Sequence, residues 1–296
     1  MSTPNLLSYD WIVINSSAGK DSQAMLDYVT ELARQAGVED RIIVVHADLG
    51  RVEWKGTKEL FELQAASYGH QTVVVSRIGG ISPGRGKSRH FRPLDGRENA
   101  LTYEAGEEYG DILDYVARRG KWPDAANRWC TADFKTAPVR KLLTALAKQT
   151  KKETGKKQPR ILNCLGMRAQ ESPKRQKMPE FEMEKEATTG AKHVDRWLPI
   201  HGWTVEDVWS RIKASGVPHH EAYDLGMPRL SCAFCVLATK SALKVAGKHN
   251  PELLDAYVSV ERLTGHKFRM GMAIEEIQVE LAENPDIPDT VEEWAA

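Results

Sequence analysis

The sequence predicts an α/β protein on a doubly wound parallel sheet, with a helical C-terminal subdomain. Three observations carry this. Short β-branched apolar runs alternate with helical-period segments through the first 75 residues. The first run ends in a Ser/Gly turn that opens directly into a helical segment. From Thr204 onward the apolar spacing is helical only. Strands that alternate with helices imply parallel pairing with right-handed crossovers. We therefore expect an α/β domain over 1–202 and a helical subdomain over 203–296.

The first expected strand is Trp11-Ile12-Val13-Ile14, followed by a helix from Asp21 to Gln35 with Ala24, Met25, Tyr28, Val29 and Leu32 on one face. Arg41 to His46 is apolar on both faces, as a buried parallel strand is. A helix around Lys58 to Tyr68 and the strand Thr72 to Val75 complete the first unit. Residues 79–128 break the rhythm: Gly79, Gly80, Pro83, Gly84 and Gly86 read as a loop, and Glu107 to Arg119 as a helix. This stretch reads as an insertion near the ligand edge of the sheet. A helix from Pro138 to Lys148, an exposed linker with Lys151, Lys152, Lys156 and Lys157, and the strand Arg160 to Leu165 follow. Helices are then expected over Thr204 to Lys213, Pro251 to Leu263 and Ala273 to Glu283. Thr204 is a good N-cap with Asp207 three residues on.

Composition narrows the function classes. A chain of 296 residues, 41% hydrophobic and 28% charged, can bury a full core. Its net charge of +0 supplies no global field toward nucleic acid or membrane, so any nucleic acid is held locally or by a partner. The opening MSTPNLLSYDWIVINSS lacks the pattern of a signal peptide, and no apolar run is long enough to span a bilayer. A cytoplasmic address and no membrane partner are expected. The four cysteines are Cys130, Cys164, Cys232 and Cys235; a disulfide framework is unlike such a chain, and the C-x-x-C pair points to metal or redox chemistry.

The turn Ser16-Ser17-Ala18-Gly19-Lys20-Asp21-Ser22 joins the first strand to the first helix, where open α/β sheets collect ligands. Small residues at Ser17 and Gly19 let the backbone approach an anion, and a helix start offers N–H groups and a positive dipole end. Lys20 and the hydroxyls of Ser17 and Ser22 add charge and donors. Asp21 would repel a phosphate unless a divalent cation lies between them, so Mg2+ is expected. A simple Ser/Asp helix cap is the rival explanation. Walker A is excluded, because Lys20 is followed by Asp21.

Ser-x-Gly-x-Asp-Ser resembles the loop of PP-loop ATP pyrophosphatases. Further segments resemble the phosphoadenosine phosphosulfate (PAPS) reductase superfamily in its own order. They are Arg128-Trp129-Cys130-Thr131 with Lys135 and Pro138, then Gly166-Met167-Arg168-Ala169-Gln170-Glu171-Ser172 with Arg175. Trp203 to Trp209 and Tyr223-Asp224-Leu225-Gly226 running into Cys232-Ala233-Phe234-Cys235 complete the set. The resemblance covers about residues 11–236 and implies an adenine nucleotide alpha hydrolase-like fold that binds ATP or a related adenine nucleotide. It places His46 and Asp48 beside the adenosine half, with Asp48 helping Mg2+ or a sugar hydroxyl. It makes Lys20, Asp21 and Arg168 catalytic, with Gly166 and Arg175 at the phosphates. A structural Arg168–Glu171 pair is the alternative.

The resemblance also brings Cys130 near Cys232 and Cys235. Thiolates in this pattern bind zinc or an iron–sulfur cluster, and a [4Fe–4S] cluster is the usual occupant in relatives with it. The fourth ligand is open: Cys164 is a candidate, His219 and His220 could serve zinc, and a three-cysteine cluster with one open iron resembles PP-loop tRNA-thiolating enzymes. Reduction of PAPS in the family uses a cysteine in a C-terminal Glu-Cys-Gly motif, and this sequence has no cysteine after Cys235. The resemblance thus implies ATP pyrophosphatase chemistry that adenylylates a substrate for sulfur incorporation, nearest in pattern to the DNA-phosphorothioation branch with its cysteine desulfurase partner. A basic loop with Arg85, Lys87, Arg89, His90, Arg92 and Arg97 is a candidate contact for a nucleic-acid backbone. A sulfonucleotide reductase and a non-catalytic nucleotide- and metal-binding module are the alternatives.

Overall fold

The computed structural model describes residues 3–77 and 111–284. The basic loop at 85–97 and the first part of the expected insertion lie outside the described residues. The chain runs β1 (Trp11–Asn15), α1 (Lys20–Ala36), β2 (Ile42–Ala47), α2 (Thr57–Ala66) and β3 (Gln71–Val75). It continues with α3 (Ile112–Arg119), the turn α4 (Trp129–Thr131), a π-helical turn and α5 (Ala137–Thr154). Next come β4 (Arg160–Leu165), the short α6 (Pro173–Gln176), β5 (Phe181–Met183), β6 (His193–Trp197) and α7 (Val205–Ser215). The last elements are α8 (Lys240–His249), α9 (Pro251–Thr264) and α10 (Ile274–Glu283).

The strand order is β3-β2-β1-β4-β6-β5, parallel throughout except for the edge strand β5. β1 sits between β2 and β4, with Ile12 beside Ile42 on one side and Leu162 on the other. The chain therefore winds outward in both directions from β1, and the reversal opens a crevice at the carboxyl ends of β1 and β4. One face of the sheet, with Ile12, Ile14, Val44 and Leu162, packs on α1 and α2 and on Val208 and Ile212 of α7. The other face, with Val13, Val45, Ile161 and Val194, packs on Val139, Leu142, Leu143 and Leu146 of α5.

A third apolar cluster is helical. It joins Val52 and Trp54 to α3, Trp122, Trp129 and Phe134, then to Phe234 and the buried faces of α8, α9 and α10. The helical core thus draws on residues 112–134 as well as the C-terminal helices, while α7 belongs to the sheet. Thr204 caps α7 in a reciprocal capping box with Asp207.

Several differences from the sequence reading have physical causes. α5 runs on to Thr154 and ends at Gly155, whose φ of 72° closes it, so Lys151 and Lys152 belong to its last turn rather than to a linker. β6 escapes an apolar-run criterion because Asp195 sits in its middle. That carboxylate is buried and accepts from Tyr9 Oη at 2.8 Å and Arg160 Nη2 at 3.0 Å. α8 shows little bulk because Gly247 lets α9 and α10 press close; a Cβ there would lie 2.7 Å from Leu281 Cδ1 and 3.0 Å from Leu254 Cδ2. Asp111 N-caps α3, so the described helix starts at Ile112, and 107–110 lie outside the described residues. Among the described residues no helix is long and apolar enough to cross a membrane.

Candidate functional site

The turn after β1 is braced from within. Ala18 N–H donates to Ser16 Oγ at 3.2 Å, Ser17 N–H to Ser22 Oγ at 3.2 Å, and Ser22 Oγ to the Gly19 carbonyl at 2.9 Å. Ala18 holds a φ of 56°, left-handed backbone that a β-carbon disfavours. Lys20 N–H donates to Tyr223 Oη at 2.8 Å, so the Tyr223 segment anchors the start of α1. Gly166, at the exit of β4, is the other brace: a Cβ there would meet Asp21 C and O and Ser22 N at 3.0 Å. A tight strand exit alone would favour glycine; contact with the backbone of α1 demands it.

A cavity of about 310 Å3 opens here, at the carboxyl ends of β1, β2 and β4. Ser17, Gly19, Asp21 and Ser22 form one wall, and Val45, Val139, Leu143 and Leu165 form an apolar flank. Lys135, Arg140, Arg175 and Arg229 bring positive charge to the same space. Sequence reasoning missed Arg229, a lone arginine behind Pro228 with no periodicity to mark it. Its Nη2 lies 3.3 Å from Glu171 Oε1, and its Nη1 is buried with no hydrogen-bond partner. Glu171 also pairs with Arg175 and accepts from Arg168 N–H at 2.8 Å. Burial opposes the charged carboxylate, yet Arg175 and Arg229 outweigh it and hold its pKa below the usual range.

Two expected phosphate ligands point elsewhere. Lys20 is 1% exposed and donates Nζ to the Pro228 carbonyl at 2.6 Å, and it does not line the cavity. Arg168 is 1% exposed, donates Nε to Asp21 Oδ1 at 2.5 Å and Nη1 to Gln170 Oε1 at 2.7 Å, and also lies outside the lining. Arg168 thus pairs with Asp21, while its backbone N–H is held by Glu171. Both cations brace the loop from behind.

His46 and Asp48 end β2 beside the loop, and His46 lines the cavity. His46 Nδ1 is 3.0 Å from the Ser16 carbonyl and Nε2 is 3.0 Å from Glu53 Oε2. Burial works against a charged ring, but Glu53 and Ser16 outweigh it and hold its pKa above the usual imidazole value.

The cysteines divide. Burial raises the thiol pKa of Cys130 and Cys232, and each also feels the charge of Cys235, with Lys135 opposing. These three sulfurs thus share one neighbourhood, packed against the helical core. Cys164 is not with them. It is fully buried in β4 beside Ile14 and Trp197, and burial alone drives its pKa strongly up. His220 is also engaged elsewhere, accepting from Ala222 N–H at 3.1 Å and facing Thr57 Oγ1 at 3.1 Å, and His219 pairs with Asp224. The structure therefore leaves Cys130, Cys232 and Cys235 as the three cysteines of this neighbourhood. No cysteine lines the cavity, although Thr131 and Lys135 beside Cys130 do.

Residues 106–238 match the family model of the phosphoadenosine phosphosulfate reductase domain. Over that stretch the chain is similar to a PAPS reductase domain. The match takes in Cys130, Gly166, Arg175, Arg229 and the C-x-x-C pair, while the loop at 16–22 precedes it. An uncharacterized 37.8 kDa protein of Escherichia phage 186 is 32% identical over 160 residues, 54% of this chain and 45% of that protein. An adenosine 5'-phosphosulfate reductase of Neisseria meningitidis serogroup A is 28% identical over 154 residues, 52% of this chain and 51% of that one. The chain thus spans about half the length of these curated relatives. The crystal structure of a PAPS reductase from Candida auris aligns with a TM-score of 0.43 at 17% identity, covering 77% of this chain and 83% of that one.

Proposed function

We propose that this protein is an ATP pyrophosphatase that adenylylates an acceptor in preparation for sulfur incorporation. The observation that carries the reading is the cavity. It has the phosphate loop on one wall, cations on another and no thiol in its lining.

In this reading the triphosphate lies against Ser17, Gly19 and Ser22, with adenine toward the apolar flank of Val45, Val139 and Leu143. An acceptor oxygen attacks the α-phosphorus, the bond to the α,β-bridging oxygen breaks, and pyrophosphate leaves. Arg175, Arg229 and Lys135 neutralise the charge that develops on the leaving group; positioning and fixed charge do most of the catalytic work in transfers at phosphorus. Asp21, held by Arg168, would hold Mg2+, which supplies charge neutralisation between carboxylate and phosphates. Cys130, Cys232 and Cys235 would hold an iron–sulfur cluster, which would supply an iron able to bind sulfide. Three thiolates fit a cluster with one open iron better than structural zinc, which wants four ligands. A cysteine desulfurase as sulfur donor and a nucleic acid at the 85–97 loop complete this reading.

The test is product analysis with ATP and candidate DNA or tRNA acceptors. Pyrophosphate release that is lost in Ser22→Ala supports the reading; undiminished release in that variant, or orthophosphate as the product, overturns it. A sulfonucleotide reductase is the second reading, favoured by the name of the Neisseria relative. Sulfite release from adenosine 5'-phosphosulfate with a thiol donor would establish it. Tight ATP binding without turnover would instead point to a non-catalytic module.

A further inference from the structure

We propose that His46, Asp48 and Glu53 form a second metal site, for a divalent ion of the zinc–manganese class, on the wall between the phosphate loop and the cysteine cluster. Among the described residues these are the only three His, Cys, Asp or Glu side chains whose ligand atoms all lie within 4.8 Å of one another.

His46 sets the requirement. The Ser16 carbonyl oxygen, 3.0 Å from Nδ1, can only accept, so Nδ1 carries the proton. The Nε2 lone pair of the neutral ring then faces Glu53 Oε2 at 3.0 Å, two acceptors face to face. Something positive belongs between them: a second proton or a metal ion. Ligand bonds of about 2.1 Å at a right angle put donor atoms about 3.0 Å apart, the spacing found here. A ring nitrogen fixed by a carbonyl on its far side is also how metal-bound histidines are oriented.

The other two ligands are held by the same turn. Asp48 Oδ1 accepts from Gly50 N–H at 2.8 Å, and Glu53 N–H donates to the Gly50 carbonyl at 3.0 Å. His46 and Asp48 are buried and the Glu53 side chain is 14% exposed, on the cavity lining, so an ion has a way in. One imidazole and two carboxylates suit zinc or manganese; magnesium prefers oxygen ligands and keeps its waters.

The turn is tied to both neighbours. Ser16 of the phosphate loop holds His46, and Ala233 N–H, between Cys232 and Cys235, donates to the Val52 carbonyl at 2.8 Å. An ion at this turn would stiffen the link between the two sites. This site is independent of the pyrophosphatase reading, because its ligands come from the chain alone.

The experiment is an Mn2+ titration of the chelator-stripped, nucleotide-free full chain, followed by electron paramagnetic resonance. One tightly bound Mn2+ is expected. Glu53→Gln and Asp48→Asn should weaken it by at least the roughly 10- to 100-fold that follows loss of an outer-shell partner. Cys232→Ala and Asp21→Asn should retain it. No stoichiometric binding, or binding unchanged in both Glu53→Gln and Asp48→Asn, would leave a protonated His46–Glu53 pair and overturn the proposal. Binding lost in Asp21→Asn alone would place the ion at the phosphate loop and overturn it equally. Thermal melting without metal checks that each variant folds, and the two variants on opposite sides of the turn guard against failure of either.

Discussion

Arg168 Nε lies 2.5 Å from Asp21 Oδ1, tying the exit of β4 to the first turn of α1. The guanidinium is 1% exposed, and Gln170, which takes its Nη1, also accepts from Val205 N–H at 3.0 Å at the start of α7. One arginine therefore joins the phosphate loop, the strand exit and the helix that packs behind both. Removing it strands Asp21 beside buried backbone. Arg168→Ala should cost about 3 kcal/mol or more in denaturant unfolding, in line with broken buried pairs. A direct phosphate ligand would behave oppositely, with affinity falling and the midpoint unchanged.

Arg229 is the contrast. Its Nη1 is buried without a partner beside the cavity. A charge-assisted bond to phosphate is worth about 1.5–3 kcal/mol, so Arg229→Gln should weaken ATP or pyrophosphate binding about tenfold or more. Isothermal titration calorimetry reads this directly, and the unfolding midpoint should shift far less than in Arg168→Ala.

Gly166→Ala tests the close approach of β4 to α1. The new methyl would meet Asp21 and Ser22 backbone at 3.0 Å, atoms that cannot swing aside. Overpacking of this kind costs about 1–3 kcal/mol, and the displaced loop should bind ATP more weakly. Gly190→Ala, where nothing lies within 4 Å, is the control and should leave both quantities unchanged.

Glu171 gives a pH signature. Its folded pKa is depressed from 4.5 because the Arg175 and Arg229 charges outweigh burial. Its contribution to stability is therefore present above about pH 4.5 and is lost as pH falls through the lower folded value. Glu171→Gln should flatten the acid limb of stability below pH 4.5. An unchanged acid limb would mean that the arginines do not engage this carboxylate in solution.

The cysteines divide by location, so their variants should divide too. Cys164→Ala should leave bound iron or zinc unchanged and cost about 1 kcal/mol of core packing. Cys232→Ala should abolish loading of iron and acid-labile sulfide at the cysteine cluster. Elemental analysis of anaerobically purified protein, with acid-labile sulfide, compares the two and separates a cluster from zinc.

Local signals made much of this legible. β1, β2, β3 and β4 are mostly apolar runs, and α1, α7, α9 and α10 carry clear periodicity, so each was readable within a few residues. β6 was hidden by Asp195, whose charge only makes sense once Tyr9 and Arg160 surround it. α8 was hidden by small residues that close packing requires. At the site, the small loop residues pointed to a turn that walls the cavity, and the cysteine spacing to residues packed on the helical core.

What the sequence determined by itself is therefore the alternation of strands and helices from β1 to β4, the helices α7, α9 and α10, and the positions of the phosphate-loop turn and of the C-x-x-C pair. These depend on neighbours along the chain: periodicity, turn chemistry and spacing. The tertiary structure decided which charges face the cavity. Lys20 and Arg168 sit next to the loop in motif, yet Pro228 and Asp21 take them out of the cavity. Arg229, more than 200 residues from the loop, is brought to it by the chain path through Tyr223. It likewise parted Cys164 from the other thiols, because a strand residue goes where its register sends it. A side chain's direction is set by partners far away in sequence, and those partners meet only when the sheet and the helical core close around the same crevice.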